Sequence, residues 1–157
     1  MVERKTVTLF IYVVDKGQVI LARRGKLEKK PGLLQASVHG QIEPGEISQL
    51  AMKREFQEEL KGDFHQLTNI RDFGDAKVGD TTPEHTFYHA ASMDSSLLST
   101  LQPTQEVSEF ILVSKDDLAK IKPYSKAGDM QNYSSEMVMF DDELEVLKKV
   151  FTEYGSM

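Results

Sequence analysis

The segment Gly40-Gln-Ile-Glu-Pro-Gly-Glu46, continued after seven residues by Arg54-Glu-Phe-Gln-Glu-Glu-Leu60, decides the fold of this chain. Its second half predicts a helix over 46–61, because that range has no proline or glycine and is rich in strong helix formers. At about 100° per residue, Glu55, Glu58 and Glu59 spread over about 100° of one helix face. Like charges at this spacing repel each other, and a hard divalent cation would offset the repulsion. A solvated acidic helix surface is the alternative interpretation of the three glutamates taken alone.

Together with the residues before the helix, the pattern resembles the box of the Nudix family. The box is written G, five residues, E, seven residues, R-E-U-x-E-E-x-G-U, where U is an apolar residue. So many matches at fixed spacing should arise by chance in well under about one chain in a thousand. The chain departs from the box at its end, where Lys61 stands for glycine and Gly62 for the apolar residue. The matching residues are Gly40, Glu46, Arg54, Glu55, Phe56, Glu58 and Glu59.

This resemblance implies a loop–helix–loop that holds one or more Mg²⁺ ions, with Mn²⁺ as an alternative. Glu55, Glu58 and Glu59 carry over as metal ligands, and Gly40 carries over as a backbone contact near the metal. Glu46 and Arg54 carry over as the pair that ties the loop to the helix, a role suited to a guanidinium that binds a carboxylate with two hydrogen bonds. The implied fold is α+β, an α/β/α sandwich in which helices flank a mixed β-sheet.

Hydrophobic patterning outside the box predicts the remaining elements of a single domain over 1–157. Strands are predicted at 6–15, 18–22 and 34–38 before the helix, and at 67–76, 84–91 and 107–113 after it. A short helix is predicted to begin at 114–117 and to end at Pro123, followed by a loop over 122–135. The range 141–154 predicts an amphipathic helix with an apolar stripe. This order predicts a mixed sheet covered by helices.

The implied chemistry is hydrolysis of a diphosphate, which needs a cation to neutralise phosphate charge and a base to accept the proton of the attacking water. Glu58 and Glu59 are candidate bases inside the box, and Glu106 and Glu109 are candidates outside it. Solvated charge at a strand edge is the alternative for the latter two. We therefore expect Mg²⁺-dependent cleavage of a nucleoside diphosphate linked to another moiety. The alternative function is a catalytically silent Nudix-fold module that binds a ligand or regulates.

A short basic segment before the box predicts the substrate contacts. Arg23, Arg24 and Lys29 precede a Pro-Gly turn, as in the hydrolase-like relatives of isopentenyl-diphosphate isomerase, and with His39 they are candidate substrate-binding residues. A solvated loop and a structural histidine are the alternatives. True isomerases of that type use an active-site cysteine, and this chain has none, so isomerase activity is not expected. His85 and His89 lie on a predicted strand and are assigned structural roles.

The composition restricts the partners. A net charge of −6 and an isoelectric point near 5.2 do not favour nucleic acid as a partner, since phosphate-binding surfaces are usually basic. The apolar run at 7–14 is too short to span a membrane. The absence of cysteine agrees with a reducing cytoplasm and excludes a thiol nucleophile. We expect a cytoplasmic protein that acts on a small-molecule diphosphate, and a homodimer is left open.

Overall fold

The computed structural model describes residues 4–79, 83–124 and 133–156. It contains a mixed β-sheet, two α-helices and three short 3₁₀ helices, as the Nudix-type sandwich requires. The strands are β1 Arg4–Val13, β2 Gln18–Arg24, β3 Leu34–Gln35, β4 Val38–Gln41, β5 Thr68–Val78, β6 Glu84–Met93, β7 Val107–Ser114, β8 Lys122–Pro123 and β9 Val138–Met139. The α-helices are α1 Ser48–Leu60 and α2 Asp141–Gly155, and the 3₁₀ helices are Phe64–Gln66, Ser95–Thr100 and Lys115–Lys120.

The predicted mixed sheet flanked by helices is confirmed, and several predicted boundaries shift by a few residues, such as the first strand, which ends at Val13 and not at Asp15. Two of the differences have a clear physical reason. Helix α1 begins at Ser48 and not at Glu46, because the Glu46 amide donates to Glu43 O in a turn and Ile47 has an extended backbone. The strand predicted over 34–38 is two strands, since the Ser37 side chain interrupts the ladder. Its hydroxyl accepts a hydrogen bond from Ile11 N and donates one to Ile20 O.

The region predicted as a loop over 122–135 contains β8 at its start. Residues 125–132 lie outside the described residues. The short helix predicted after Ser114 is a 3₁₀ helix, and Ser114 N donates to the Asp117 carboxylate across 2.8 Å, which caps it. It ends before Pro123, as the sequence predicts. After the last helical bond, from Ile121 N to Leu118 O, the Lys122 amide donates instead to Met137 O.

The sheet forks at β1, and this fork positions the site. Strand β1 runs parallel to β6 along its whole length. On its other side, residues 6–9 pair antiparallel with β4, whereas residues 11–13 pair antiparallel with β2. Strands β4 and β2 therefore separate from each other beside the middle of β1, and groups from both faces of the sheet can meet in the gap.

Each face of the sheet has its own hydrophobic core, because neighbouring strand residues point to opposite faces. Val7, Leu9 and Ile11 of β1 pack with Met52 and Phe56 of α1. The intervening residues, such as Phe10, face α2. The predicted apolar stripe of α2 is buried against this second face, and its members Leu144, Leu147, Phe151 and Tyr154 are all at most 4% exposed.

The chain departs from the box at Lys61 and Gly62, and the end of α1 shows the structural consequence of each. Lys61 takes the left-handed backbone conformation, with φ 56°, that glycine would take with less strain. Gly62 is required for a different reason: a Cβ there would lie 2.6 Å from Cζ of Phe56. The large Phe56 ring thus fills the space in which a side chain at position 62 would lie.

Candidate active site

Arg54 fixes the loop before α1 onto the helix. Its Nε and one terminal nitrogen each lie 2.9 Å from an oxygen of Glu46, and the same terminal nitrogen donates to Gln41 O across 2.9 Å. The other terminal nitrogen donates to Glu55 across 2.8 Å and to Glu58 across 3.4 Å. Hydrogen bonds from Arg54 lower the pKa of Glu46 to about 2. The bidentate pair predicted from the sequence is therefore present.

Gly40 lies against Glu55, and any side chain at position 40 would displace the Glu55 carboxylate. A Cβ at Gly40 would lie 2.1 Å from the carboxylate carbon of Glu55, which is closer than any real contact allows. The glycine thus brings the β4 backbone beside a helix carboxylate. Backbone carbonyl and carboxylate oxygens are ligands that Mg²⁺ prefers, so the chemistry of this donor set suits the predicted metal.

Glu59 lies among other carboxylates at the same end of α1. Burial, together with the neighbouring Glu55 and the charge of Glu106, raises the pKa of Glu59 to about 9, although a backbone hydrogen bond from His39 acts in the opposite direction. A divalent cation would favour the charged forms of these groups by neutralising their repulsion. Glu55, Glu59 and Glu106 all line one cavity.

Glu58 and Glu109 do not line that cavity. The Glu58 side chain is 60% exposed and contacts Arg54, and Glu109 pairs with Arg23 across 3.0 Å. Within the part of the chain that the structure describes, no three acidic or histidine side chains converge closely enough to coordinate an ion as they stand. Arg54 donates hydrogen bonds to Glu55 and Glu58, two of the three predicted ligands, which contributes to this. The metal-ligand roles of Glu55, Glu58 and Glu59 therefore stay predictions.

The cavity has a volume of about 860 Å³ and lies at the fork of the sheet. This volume is in the range of small-molecule sites. The box carboxylates form one wall, the start of α2 forms another, and the polar faces of β1, β4 and β6 form the floor. Four basic side chains also line it, namely Arg4, Arg24, Lys29 and Lys30.

Of the predicted substrate-binding residues, Arg24, Lys29 and His39 line the cavity and Arg23 does not. Arg23 is 7% exposed, and its guanidinium donates to Glu109 and to the backbone oxygens of Gly32, Tyr133 and Glu136. This guanidinium holds the basic loop in place, so Arg23 is removed from the candidate phosphate ligands. Arg24 is directed differently, with Nε 2.7 Å from Lys29 O and a terminal nitrogen 3.1 Å from Gln35 Oε1.

Histidines 85 and 89 have the structural positions that the sequence predicts. His89 is 1% exposed, with Nε2 3.1 Å from Ser48 Oγ, and burial lowers its pKa. Nε2 of His85 lies 2.5 Å from Asp75. Neither residue lines the cavity.

The sequence analysis missed several cavity residues, and the charged ones among them include Arg4, Glu84 and Glu143. His39 Nε2 lies 3.7 Å from Glu84, and this neighbour lowers the pKa of Glu84 to about 2. Glu143 is 5% exposed and accepts a hydrogen bond from Ala36 N across 2.8 Å, and burial raises its pKa to about 7. A signal for Glu143 was present, because it occupies the same helix face as Leu147 and Val150, where a carboxylate is out of place.

Comparison with known proteins agrees with this architecture. The family model described as NUDIX domain matches residues 3–133. The chain therefore belongs to the NUDIX family. Among curated proteins, none matches the sequence of this chain.

Solved structures show the same fold at low sequence identity. A C. elegans Ap4A hydrolase is similar with a TM-score of 0.69 and 17% identity, over 98% of this chain and 99% of that one. A NUDIX hydrolase from Nitrosomonas europaea gives 0.66 and 15%, over 98% and 91% of the two chains. A MutT protein from Methanosarcina mazei Go1 gives 0.63 and 14%, over 99% and 96%. None of these structures bears on the resemblance to isopentenyl-diphosphate isomerase relatives, which stays a prediction.

Among the described residues, no helix is both long and apolar enough to cross a membrane.

Proposed function

We propose that this protein hydrolyses a diphosphate linkage in a nucleoside diphosphate joined to another moiety, with Mg²⁺ or Mn²⁺ as cofactor. One observation carries the proposal: the carboxylates of Glu55 and Glu59 line the same cavity as the basic side chains of Arg24 and Lys29. A diphosphate needs both, since cations must offset its charge while carboxylates hold the metal and accept protons. Membership of the NUDIX family supports the same reaction class.

The chain's own residues have separate tasks in this proposal. Gly40 O, Glu55, Glu58 and Glu59 would hold the metal, which when bound supplies charge neutralisation and an acidic water. Arg24, Lys29 and His39 bind the phosphates and orient the linkage. Glu59 or Glu106 accepts the proton of the attacking water, and Arg54 keeps the loop and helix in register.

The test is a panel of nucleoside diphosphate derivatives with Mg²⁺, read as phosphate released after a phosphatase step. We expect turnover of at least one compound by the wild type. Glu59→Gln should lower kcat at least about 10²-fold, the scale of losing a positioned catalytic carboxylate. Glu106→Gln tests the second candidate base in the same assay.

Glu109→Gln is the matched control, because this glutamate follows Glu106 closely but lies outside the cavity and pairs with Arg23. It should retain wild-type kcat. If the wild type turns over no compound while the same compounds bind and raise its thermal midpoint, the protein is a binding or regulatory module and the hydrolase proposal is wrong.

A further inference from the structure

The buried serine and threonine hydroxyls divide into two groups. In the described part of the chain, three of the five are hydrogen-bonded: Thr6 donates to Glu84 across 2.7 Å, Ser37 to Ile20 O across 2.5 Å, and Ser92 to Thr68 O across 3.2 Å. The hydroxyls of Thr8 and Thr86 have no hydrogen-bond partner. Buried polar atoms nearly always have a hydrogen-bond partner in native proteins, so these two hydroxyls need an explanation.

Position in the fold separates the two groups. Thr8 and Thr86 both line the cavity, and none of the three paired residues does. The two threonines are 1% and 2% exposed, so bulk water does not satisfy them. The cavity is the open space beside them, and a rotation of each side chain about its Cα–Cβ bond would turn the hydroxyl toward a ligand there.

The two threonines belong to one patch of the cavity floor. Strands β1 and β6 are adjacent and parallel, with Thr6 in register with Thr86 and Thr8 in register with Tyr88. On the other side of β1, Thr8 is in register with His39 of β4. Glu143 lines the cavity at the start of α2, and the nearby His39 acts to lower the pKa of its carboxyl group.

The groups of this floor differ from those of the rim. The rim carries Arg24, Lys29 and Lys30 and the box carboxylates, which suit a diphosphate and a metal. Hydroxyls that both donate and accept, beside a carboxyl group, suit a neutral ligand group with hydroxyl or N–H donors. Beside Glu143 a phosphate would meet a carboxyl group and be disfavoured, so the phosphates bind toward His39, Arg4 and the basic rim.

We infer that Thr8, Thr86 and Glu143 form a specificity subsite for the neutral, hydrogen-bonding part of the substrate, a ribose or a base edge. The inference rests on the proposed function, from which it takes the presence of a nucleoside in the substrate. It adds the residues that recognise this nucleoside. The two hydroxyls are then held without partners in the ligand-free protein and become paired when this part of the substrate binds.

The experiment measures binding by calorimetry and folding by thermal midpoint in the same proteins. The probes are AMP, GMP, CMP, UMP, ribose 5-phosphate, inorganic phosphate and inorganic pyrophosphate, each with Mg²⁺. The wild type should bind at least one nucleotide or ribose 5-phosphate at least ten times more tightly than phosphate. If ribose 5-phosphate binds as tightly as the nucleotides, the subsite recognises the sugar. If the nucleotides bind more tightly, it recognises the base.

Thr8→Val and Thr86→Val remove a hydroxyl and keep the shape. Each should weaken binding of the preferred probe by about 5-fold, the effect of one ordinary hydrogen bond, and leave pyrophosphate binding unchanged. Each should also raise the thermal midpoint by about a degree or more, because an unpaired buried hydroxyl is replaced by a methyl group. Thr6→Val is the matched control on the same face of β1, and it should lower the midpoint because it removes the donor to Glu84.

Three results would overturn the inference. In the first, the wild type binds no probe more tightly than phosphate. In the second, both valine variants bind the preferred probe as the wild type does, which would assign the hydroxyls to internal water. In the third, pyrophosphate and nucleotide binding fall together, which would indicate a general disturbance of the cavity. Because binding of these probes needs no turnover, the subsite and the hydrolase proposal can fail separately.

Discussion

At the residue scale, the carboxylates of α1 show how a chain can favour function over stability. Glu59 is buried beside Glu55 and Glu106, and its raised pKa shows that the folded protein disfavours its charge. A group whose folded pKa is raised from 4.5 to about 9 adds no penalty below pH 4.5. Between pH 4.5 and about 9 its cost to the free energy of unfolding grows with pH, because the unfolded chain then binds fewer protons than the folded one.

We therefore predict that Glu59→Gln stabilises the metal-free protein at alkaline pH while it lowers kcat. The free energy of unfolding at pH 8 should rise by about 1 kcal/mol or more, and the gain should vanish near pH 4. Urea unfolding of the wild type and the variant, at both pH values and with a chelator that removes metal, measures this difference in the free energy of unfolding. A destabilised Glu59→Gln protein at pH 8 would contradict the prediction.

Arg54→Ala is the contrasting variant. It removes the hydrogen bonds that hold Glu46, Glu55 and Gln41 O, so it should be both slower and less stable than the wild type. The two variants thus separate a residue that acts on the substrate from one that positions the site.

At the scale of elements, the packing at the end of α1 explains one of the two departures from the family box, Gly62, as a size exchange. The Phe56 ring lies where a side chain at position 62 would be, so the glycine at 62 and the aromatic residue at 56 depend on each other. Neither departure touches the carboxylate face of the helix.

We predict that Gly62→Ala lowers the free energy of unfolding by about 1–3 kcal/mol in the wild type, the usual effect of overpacking. In a Phe56→Leu background the same change should cost less than about half as much, because the ring is absent. A double-mutant cycle from urea unfolding measures the coupling. Equal costs in both backgrounds would show that the contact with Phe56 is not the reason for the glycine.

The same scale shows what the sequence could and could not predict. Local composition predicted α1, and the resemblance to the family box implied the Glu46–Arg54 pair. Neither could predict which of two adjacent arginines reaches the cavity. That depends on a pairing irregularity between Arg23 and Arg24 against β7, a non-local property. Thr8 was missed for a similar reason, since only the packed sheet brings it to the cavity floor. Glu143 was missed although its position on the apolar face of α2 was a signal in the sequence.

At the scale of the whole molecule, the proposed function would link proton release to metal binding through Glu59. A carboxylate must lose its proton to bind a cation, so a group with a pKa near 9 makes metal affinity depend on pH. The binding of metal to the folded state alone also stabilises that state by mass action.

We predict that Mg²⁺ affinity rises at least about 5-fold from pH 6 to pH 8 and that binding releases protons. Calorimetry in two buffers with different ionisation enthalpies measures both quantities, and the thermal midpoint should rise at millimolar Mg²⁺. The Glu59→Gln protein should lose most of the pH dependence. An affinity that is the same at pH 6 and pH 8 in the wild type would contradict the linkage.

The fork of the sheet at β1 has a consequence for how such a protein diversifies. The glutamates of α1 rest on one hydrophobic layer, whereas Thr8, Thr86 and Glu143 belong to the other. Substitutions that alter the floor therefore leave the packing beneath the glutamates intact. If the proposed function is right, a gene lineage could change which compound the protein accepts and keep its reaction, because the residues for the two properties are supported from opposite sides of a single sheet.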